Sequence, residues 1–344
     1  MSYGRAFALG VEEELLLVDP VTHLLSHDAV RILAQVDGMK PDLYLALVES
    51  ATPICADAPE AVAELHGARE RARAAGATVI GAGVHPDGPF GEAPHVPDER
   101  YREVAAQLRG LSQRTPTCAL HVHVGMPDED AALRAFNGLR EHLPLLQALA
   151  ANSPFWHGQD SQLASARAQM FRGYPRADIP QAFASWDEYD ASVDAIRRAG
   201  DLPDYTFMWW DLRPHPRLGT IEVRAMDAQS SLRDVLGLAA LVHALARQAA
   251  EHDAVVPTPR EALMESSFRA ARDGIAATLW HDGALRPVAE IARTTIAALD
   301  GPGLEEIERM VTEGNGAARQ RAAFARGGMA ELLATLVAEA SAAP

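Results

Sequence analysis

Residues 5–18 read RAFALGVEEELLLV, with three adjacent carboxylates set inside an apolar run. The run has the length and texture of a β-strand, and Asp19-Pro20 ends it. Strand side chains alternate between faces, so Glu12 and Glu14 share one face and Glu13 takes the other. Leu15, Leu16, Leu17 and Val18 follow directly and predict burial. Two carboxylates ~7 Å apart on a buried face require a positive partner. Lys40 is the only lysine among 31 basic residues, so that partner is arginine or a metal ion.

Three further segments carry the same pattern. Glu49 interrupts the apolar run LALVESATPIC. In HVHVG at 121–125, His121 and His123 share a face and the valines take the other, a recurrent metal-binding arrangement. In GTIEVR at 219–224, Glu222 and Arg224 share a face. That pair reads either as a plain ion pair or as a metal ligand beside an anion clamp, for which the guanidinium fork is suited. Just upstream, WWDLRP at 209–214 places aromatic and charged groups on an adjoining strand. Taken singly, each segment has an ordinary alternative: a solvated edge strand, a half-exposed residue, a polar strand face. Together, Glu12, Glu14, Glu49 and Glu222 form a hard oxygen set suited to Mg2+ or Mn2+. Magnesium bound by carboxylates commonly serves substrate phosphates, and arginines supply the positioning that phosphoryl transfer needs.

Composition removes several classes. Across 344 residues the net charge is −16, which disfavours nucleic acid and anionic membrane surfaces. No Gly-Lys-Ser/Thr tripeptide exists, which excludes a P-loop. Lys40, followed by Pro41, reads as a loop residue, which argues against Schiff-base chemistry. Gly81-Ala82-Gly83 follows a strand, but Pro86 breaks the dinucleotide fingerprint. A turn carrying His85 to the rim of the site is the simpler expectation. Cys55 and Cys118 sit far apart in apolar runs and are expected to be buried thiols. No signal-peptide pattern and no apolar run of the ~20 residues that span a bilayer is present, so the expected location is the cytoplasm.

Along the chain, strands are expected at 5–18, 43–55, 77–84 and 116–125, and helices at 58–75, 98–113 and 128–150. Residues 152–185 read as a long functional loop with a short helix at about 161–171. Residues 206–226 read as two strands joined by a turn at 214–219, and everything from 231 onward as helix. Strands in the first two thirds and helices in the last third predict an α+β protein, with a mostly antiparallel sheet backed by helices. Residues 1–344 are taken as one catalytic domain.

GVEEE at 10–14, ESAT at 49–52, HVHVG at 121–125, NSPFWHG at 152–158, GTIEVRAMD at 219–227 and GNGAARQR at 314–321 resemble the type 2 carboxylate–amine ligases related to glutamate–cysteine ligase. The resemblance runs in order along nearly the whole chain. It implies a glutamine-synthetase-like fold whose antiparallel sheet forms a funnel lined by metal ligands. It implies ATP and Mg2+ (or Mn2+) as cofactors. ATP would phosphorylate a carboxylate, and an amine would displace the phosphate to form an amide, γ-glutamyl among the options. Glu12, Glu14, Glu49, His121 and Glu222 would be metal ligands. His123 would lie nearer nucleotide or substrate, and Arg224 would contact the transferring phosphoryl group or the substrate carboxylate. Arg167, Arg269 and Arg272 are candidates for holding nucleotide or acid, and Arg172 for acid or phosphate. The amine must lose a proton to attack, and Glu13, Asp57 and Asp211 are the candidate bases. Partners would be small carboxylate and amine substrates, amino acids first, with a homodimer or other homo-oligomer as the expected state. The loop after NSPFWHG departs from the family pattern, as does 266–275, where Ser266 and Phe268 replace an Asn-x-Trp. The substrate pair therefore stays open. Two other classes compete: a metal-dependent amidohydrolase built on His121-x-His123, and a nucleotide- or small-molecule-binding regulator without turnover.

Overall fold

The computed structural model describes residues 5–252 and 256–344. Its central sheet has strands β1 (Leu9–Val18), β2 (Met39–Pro41), β3 (Leu47–Ala51), β4 (Thr78–Ile80), β5 (Ala119–Gly125), β6 (Leu212–His215) and β7 (Thr220–Asp227). Their order is β6-β7-β5-β1-β3-β2, with β4 also pairing with β1. Every pairing is antiparallel.

Alternation sorts the two faces as the sequence predicts. Val11, Val122, Val124, Ile221 and Val223 are buried against helices α1 (Ala58–Ala74), α2 (Glu129–Ala150) and α4 (Leu232–Glu251), with Phe136, Leu139, Leu238 and Leu241 in the same cluster. Pro59 sits in the first turn of α1, and the Asp57 carboxylate accepts from the Glu60 N–H at 3.0 Å. Asp57 is therefore a helix cap, not a base. Cys55 and Cys118 are buried free thiols, as expected.

Glu13 points to the helical face, where its carboxylate meets the Arg69 guanidinium of α1 at 2.7 Å. Both side chains are almost fully buried. Arg69 also donates to the Gln229 carbonyl at 2.8 Å and to the Ser230 carbonyl at 2.5 Å. Glu13 thus fastens a helix to the sheet, and its candidacy as the base is withdrawn.

Several elements differ from expectation. Lys40 lies on edge strand β2, opposite Glu49, rather than in a loop. The helix in the 152–185 loop is shorter than expected, α3 (Ala166–Phe171). Helix Trp186–Gly200, which the sequence pattern did not pick out, follows it. The last third is not all helix, because Thr278–His281 and Ala284–Pro287 form an antiparallel hairpin. Its turn residues Asp282 and Gly283 have φ of 47° and 75°, the left-handed pair that Asp-Gly supplies most readily. The glycines after β4 serve packing. A Cβ at Gly81 would stand 2.1 Å from the Gln229 carbonyl oxygen, and one at Gly83 would stand 2.7 Å from the Asp227 carboxyl carbon. His85 is buried, with Nε2 at 2.9 Å from the His23 carbonyl, and lies away from the site rim.

Removing one partner of the Glu13–Arg69 pair leaves an uncompensated buried charge, so Arg69→Met should cost about 3–5 kcal/mol in chemical denaturation. The Glu13→Leu/Arg69→Met double variant should recover part of that loss. A double variant less stable than the single would contradict a purely structural pair.

Candidate active site

Cross-strand register assembles the site from residues up to two hundred positions apart. Glu12 lies opposite His121, Glu14 opposite Glu49, Glu222 opposite His123 and Arg213 opposite Glu222. Directly opposed strand residues bring their Cβ atoms to about 5 Å, so the polar face of β1, β3, β5 and β7 becomes one continuous acidic wall. The register of β7 shifts between Val223 and Met226, the stretch that carries Arg224.

Two triads stand on this wall. The ligand atoms of Glu12, His123 and Glu222 lie within 4.8 Å of one another, as do those of Glu14, Asp42 and Glu49. His121 lies between them, with Nδ1 at 3.5 Å from Glu12 and Nε2 at 3.8 Å from Glu14. The wall lines a cavity of about 490 Å3, which Tyr44, Tyr101, Phe171, Tyr174 and Trp209 also line.

The triads differ in how their charge is balanced. Arg213 donates to Glu222 through Nε at 2.9 Å, and Arg224 donates to the other carboxylate oxygen. Burial alone would raise Glu222, but Arg224 first and Arg213 next hold it well below the usual carboxylate range. Burial would likewise raise Glu12, and the His121 and His123 rings beside it outweigh that effect and hold it below the usual carboxylate range. In the second triad the ion-pair partner is Lys40, whose Nζ lies 2.8 Å from Glu49 and whose side chain is largely exposed, while Arg167 and Arg224 act on Glu14 and Asp42 from farther away. Burial first, then the neighbouring Glu12 and Asp42, pushes Glu49 up to about 7. Glu14 is raised by burial, Asp42 and Glu49, and Asp42 itself is raised by burial.

The donor set fits hard divalent cations. Carboxylates dominate both triads, and His123 Nε2 is buried without a hydrogen-bond partner, 3.7 Å from Glu12 and 3.8 Å from Glu222. Burial and the Arg224 charge lower His121 to about 4, so at neutral pH its ring is uncharged and has a lone pair to offer.

Glu12, Glu14, Glu49, His121, His123, Arg167, Glu222 and Arg224 all line this cavity. His123, expected nearer nucleotide or substrate, completes a triad, while His121 bridges the two triads. Four residues are placed differently from expectation. Arg269 and Arg272 lie outside the cavity on helix Arg260–Asp273, paired with Glu265 and Asp273. Arg172 pairs with Asp178 at 3.4 Å and does not line the cavity. Asp211 is half-buried and does not line the cavity; burial and the Asp178 carboxylate raise it to about 6. Sequence reasoning missed Asp42 and Tyr44, which flank the turn from β2 into β3. The acid beside the lone lysine was the available signal for Asp42.

Residues 8–339 match the profile of Glutamate-cysteine ligase family 2 (GCS2). A Rubrobacter xylanophilus protein named "Putative glutamate--cysteine ligase 2-3" is 39% identical over 98% of this chain and 97% of its own length. A Paracoccus denitrificans protein of the same family name is 35% identical over 94% of this chain and 93% of its own. Among solved structures, a Francisella tularensis glutamate–cysteine ligase in complex with AMP superposes with a TM-score of 0.73 at 12% identity, covering 99% of this chain and 89% of its own. A bifunctional glutathione synthetase from Pasteurella multocida gives 0.70 at 16% identity, covering 97% of this chain and 52% of its own. At such identities the likeness establishes the fold, and it is the α+β arrangement that the strand and helix pattern predicted. By the match of its sequence from 8 to 339 and by its nearly full-length relatives, the chain belongs to glutamate–cysteine ligase family 2.

Proposed function

We propose that this chain is an ATP-dependent ligase that joins a small-molecule carboxylate to an amine, with glutamate and an α-amino acid as the first pair to test. The carrying observation is the pair of triads on one cavity wall, flanked by arginines that line the same cavity. A carboxylate is a poor electrophile. Transfer of the γ-phosphoryl group of ATP to its oxygen breaks the bond to ADP and makes an acyl phosphate. The amine nitrogen then bonds to the carbonyl carbon, phosphate leaves, and the amine gives up a proton. Glu12, His123 and Glu222 on one side and Glu14, Asp42 and Glu49 on the other would hold Mg2+ or Mn2+, which would supply neutralisation of the phosphate charge.

The chain's own residues do the rest. Arg213 keeps Glu222 ionised and oriented, with two further bonds to the Thr206 and Met208 carbonyls at 3.1 and 3.2 Å. Arg224 and Arg167 bring cationic groups to the cavity, each with a buried Nε that has no partner and is free for an oxyanion. The aromatic lining excludes water from the activated intermediate. With Glu13 and Asp57 in structural roles and Asp211 outside the cavity, none of the three base candidates lines it. An amidohydrolase reading loses its footing, since carboxylates outnumber imidazoles in both triads and Lys40 pairs with Glu49. The same proposal takes the whole chain as one catalytic unit, cytoplasmic and homo-oligomeric. Among the described residues no helix is long and apolar enough to cross a membrane.

ADP release should require ATP, divalent metal, a carboxylate and an amine together. Glu222→Gln should lower turnover at least ~100-fold when assayed at a temperature where the variant is folded, and should also lower the unfolding midpoint, because Arg213 and Arg224 lose their buried carboxylate. Absence of ADP release across a wide panel of amino acids and amines, together with no ATP binding, would sink the proposal. Retained turnover in Glu222→Gln would remove the first triad from the mechanism.

Metal and pH should act together. Glu49, held at about 7 against an ordinary 4.5, keeps a proton in the folded chain that the unfolded chain has lost. Its contribution to stability is full below about 4.5 and disappears as pH rises through about 7. In chelator, the unfolding midpoint of the wild type relative to that of Glu49→Gln should therefore fall between about pH 5 and pH 8, a comparison in which the opposite trend from His121, held at about 4, largely cancels. Saturating Mg2+ or Mn2+ should abolish that fall and bind more tightly as pH rises, because the ligands must be deprotonated. A relative midpoint that rises with pH in chelator would contradict the charge balance described for the second triad.

A further inference from the structure

Asp227 ends β7 and does not line the cavity, yet its carboxylate binds both serines that fix the backbone around Arg167. Its Oδ2 accepts from the Asn152 N–H at 2.9 Å and the Ser153 hydroxyl at 2.7 Å, and its Oδ1 accepts from the Ser165 hydroxyl at 2.9 Å. Ser165 caps α3 by accepting from the Ala168 N–H at 3.1 Å. Ser153 accepts from the Arg167 N–H itself at 3.2 Å. Oδ1 also lies 3.8 Å from Arg167 Nη1. Little slack remains around the carboxylate, since Gly83 packs too closely against it to accept a Cβ. On the cavity side, the Arg167 guanidinium sits 5.3 Å from the Phe171 ring, and Nη2 donates to the Arg224 carbonyl at 3.4 Å. Its Nε is buried with no partner. A buried, oriented guanidinium with an unused N–H is one half of an oxyanion contact.

We infer that Asp227 is a positioning residue: through Ser153 and Ser165 it sets the short helix that presents Arg167 to a substrate oxyanion. The oxyanion is either the carboxylate of the acid substrate or a phosphate oxygen of ATP. The inference rests on the ligase reading of the cavity. Asp227→Asn preserves shape but places an amide donor against hydroxyl and N–H donors, so the relay loses its anchor while β7 stays in place.

The test is calorimetric titration of the full chain with ATP in Mg2+ and, separately, with glutamate. It compares wild type, Asp227→Asn, Arg167→Ala and the double variant. Each single variant should weaken one of the two ligands ~10–100-fold and leave the other within about 3-fold. The double variant should bind no more weakly than Arg167→Ala alone, because Asp227 acts through Arg167. The ligand that weakens identifies the oxyanion. Additive losses, equal losses for both ligands, or no loss in Asp227→Asn would each overturn the inference. If Asp227→Asn fails to fold, Ser165→Ala interrupts the same relay and is judged by the same outcomes. Wild type that binds neither ligand would overturn the ligase reading itself, and this inference with it. Wild-type binding with an additive cycle would overturn the inference alone.

Discussion

Repulsion among Glu12, Glu14, Asp42, Glu49 and Glu222 governs how the rest of the molecule is arranged. Antiparallel register forces these carboxylates onto one wall at cross-strand distances, and burial strips away the water that would screen them. The protein answers the repulsion on one side only. Arg224 and Arg213 balance Glu222, and the two imidazoles lie beside Glu12, so that side stays ionised without help. On the other side a single exposed lysine faces three acids, and all three are held above their ordinary values. The wall therefore has one anionic centre balanced by fixed cations and one whose acids are held above their ordinary values.

The choice of arginine follows from what the buried positions require. Arg69 binds Glu13 and two backbone carbonyls at once, and Arg213 binds Glu222 and two more. A planar fork with five donors can meet a carboxylate and neighbouring carbonyls together, whereas an ammonium on a flexible stem cannot hold that geometry. The lone lysine stands at the sheet edge, where its head group stays largely in water. Scarcity of lysine, first a reason to exclude a P-loop, is consistent with a site in which cations must orient as well as neutralise.

Alternation made the wall legible in advance. Glu12, Glu14, His121, His123 and Glu222 fall on one face because each sits in a strand whose opposite face is apolar, and period-two patterning carries that information locally. It says nothing of what packs on the opposite face, so Glu13 could not be told from a catalytic acid until Arg69 of α1 was seen beside it. Asp42 and Tyr44 belong to a short edge strand and its turn, too brief for any period to show. Arg269 and Arg272 carry charge close to a family-like stretch, but their phase on helix Arg260–Asp273 turns both to solvent-side partners. The hairpin from 278 to 287 was hidden by its helical surroundings, although Asp282-Gly283 is a strong local hairpin signal.

The segments that resemble the family divide into two physical groups. GVEEE, ESAT, HVHVG and GTIEVR build the wall. NSPFWHG, the terminal Asp227 of GTIEVRAMD and GNGAARQR build a buried knot behind it: Gln320 donates to the Asn152 side chain at 2.8 Å, and Asn152 donates to Gly81 and Ala228 carbonyls at 2.8 Å each. Gly316 packs so closely on Asn152 that a Cβ would stand 2.1 Å from its side-chain oxygen. This knot ties the start of the last helix to the end of β7, a few residues beyond Glu222 and Arg224. Wall and knot are thus consecutive stretches of one strand's environment. A site that depends on placing a few buried charges to within fractions of an ångström needs such an anchor on the strand that carries two of them.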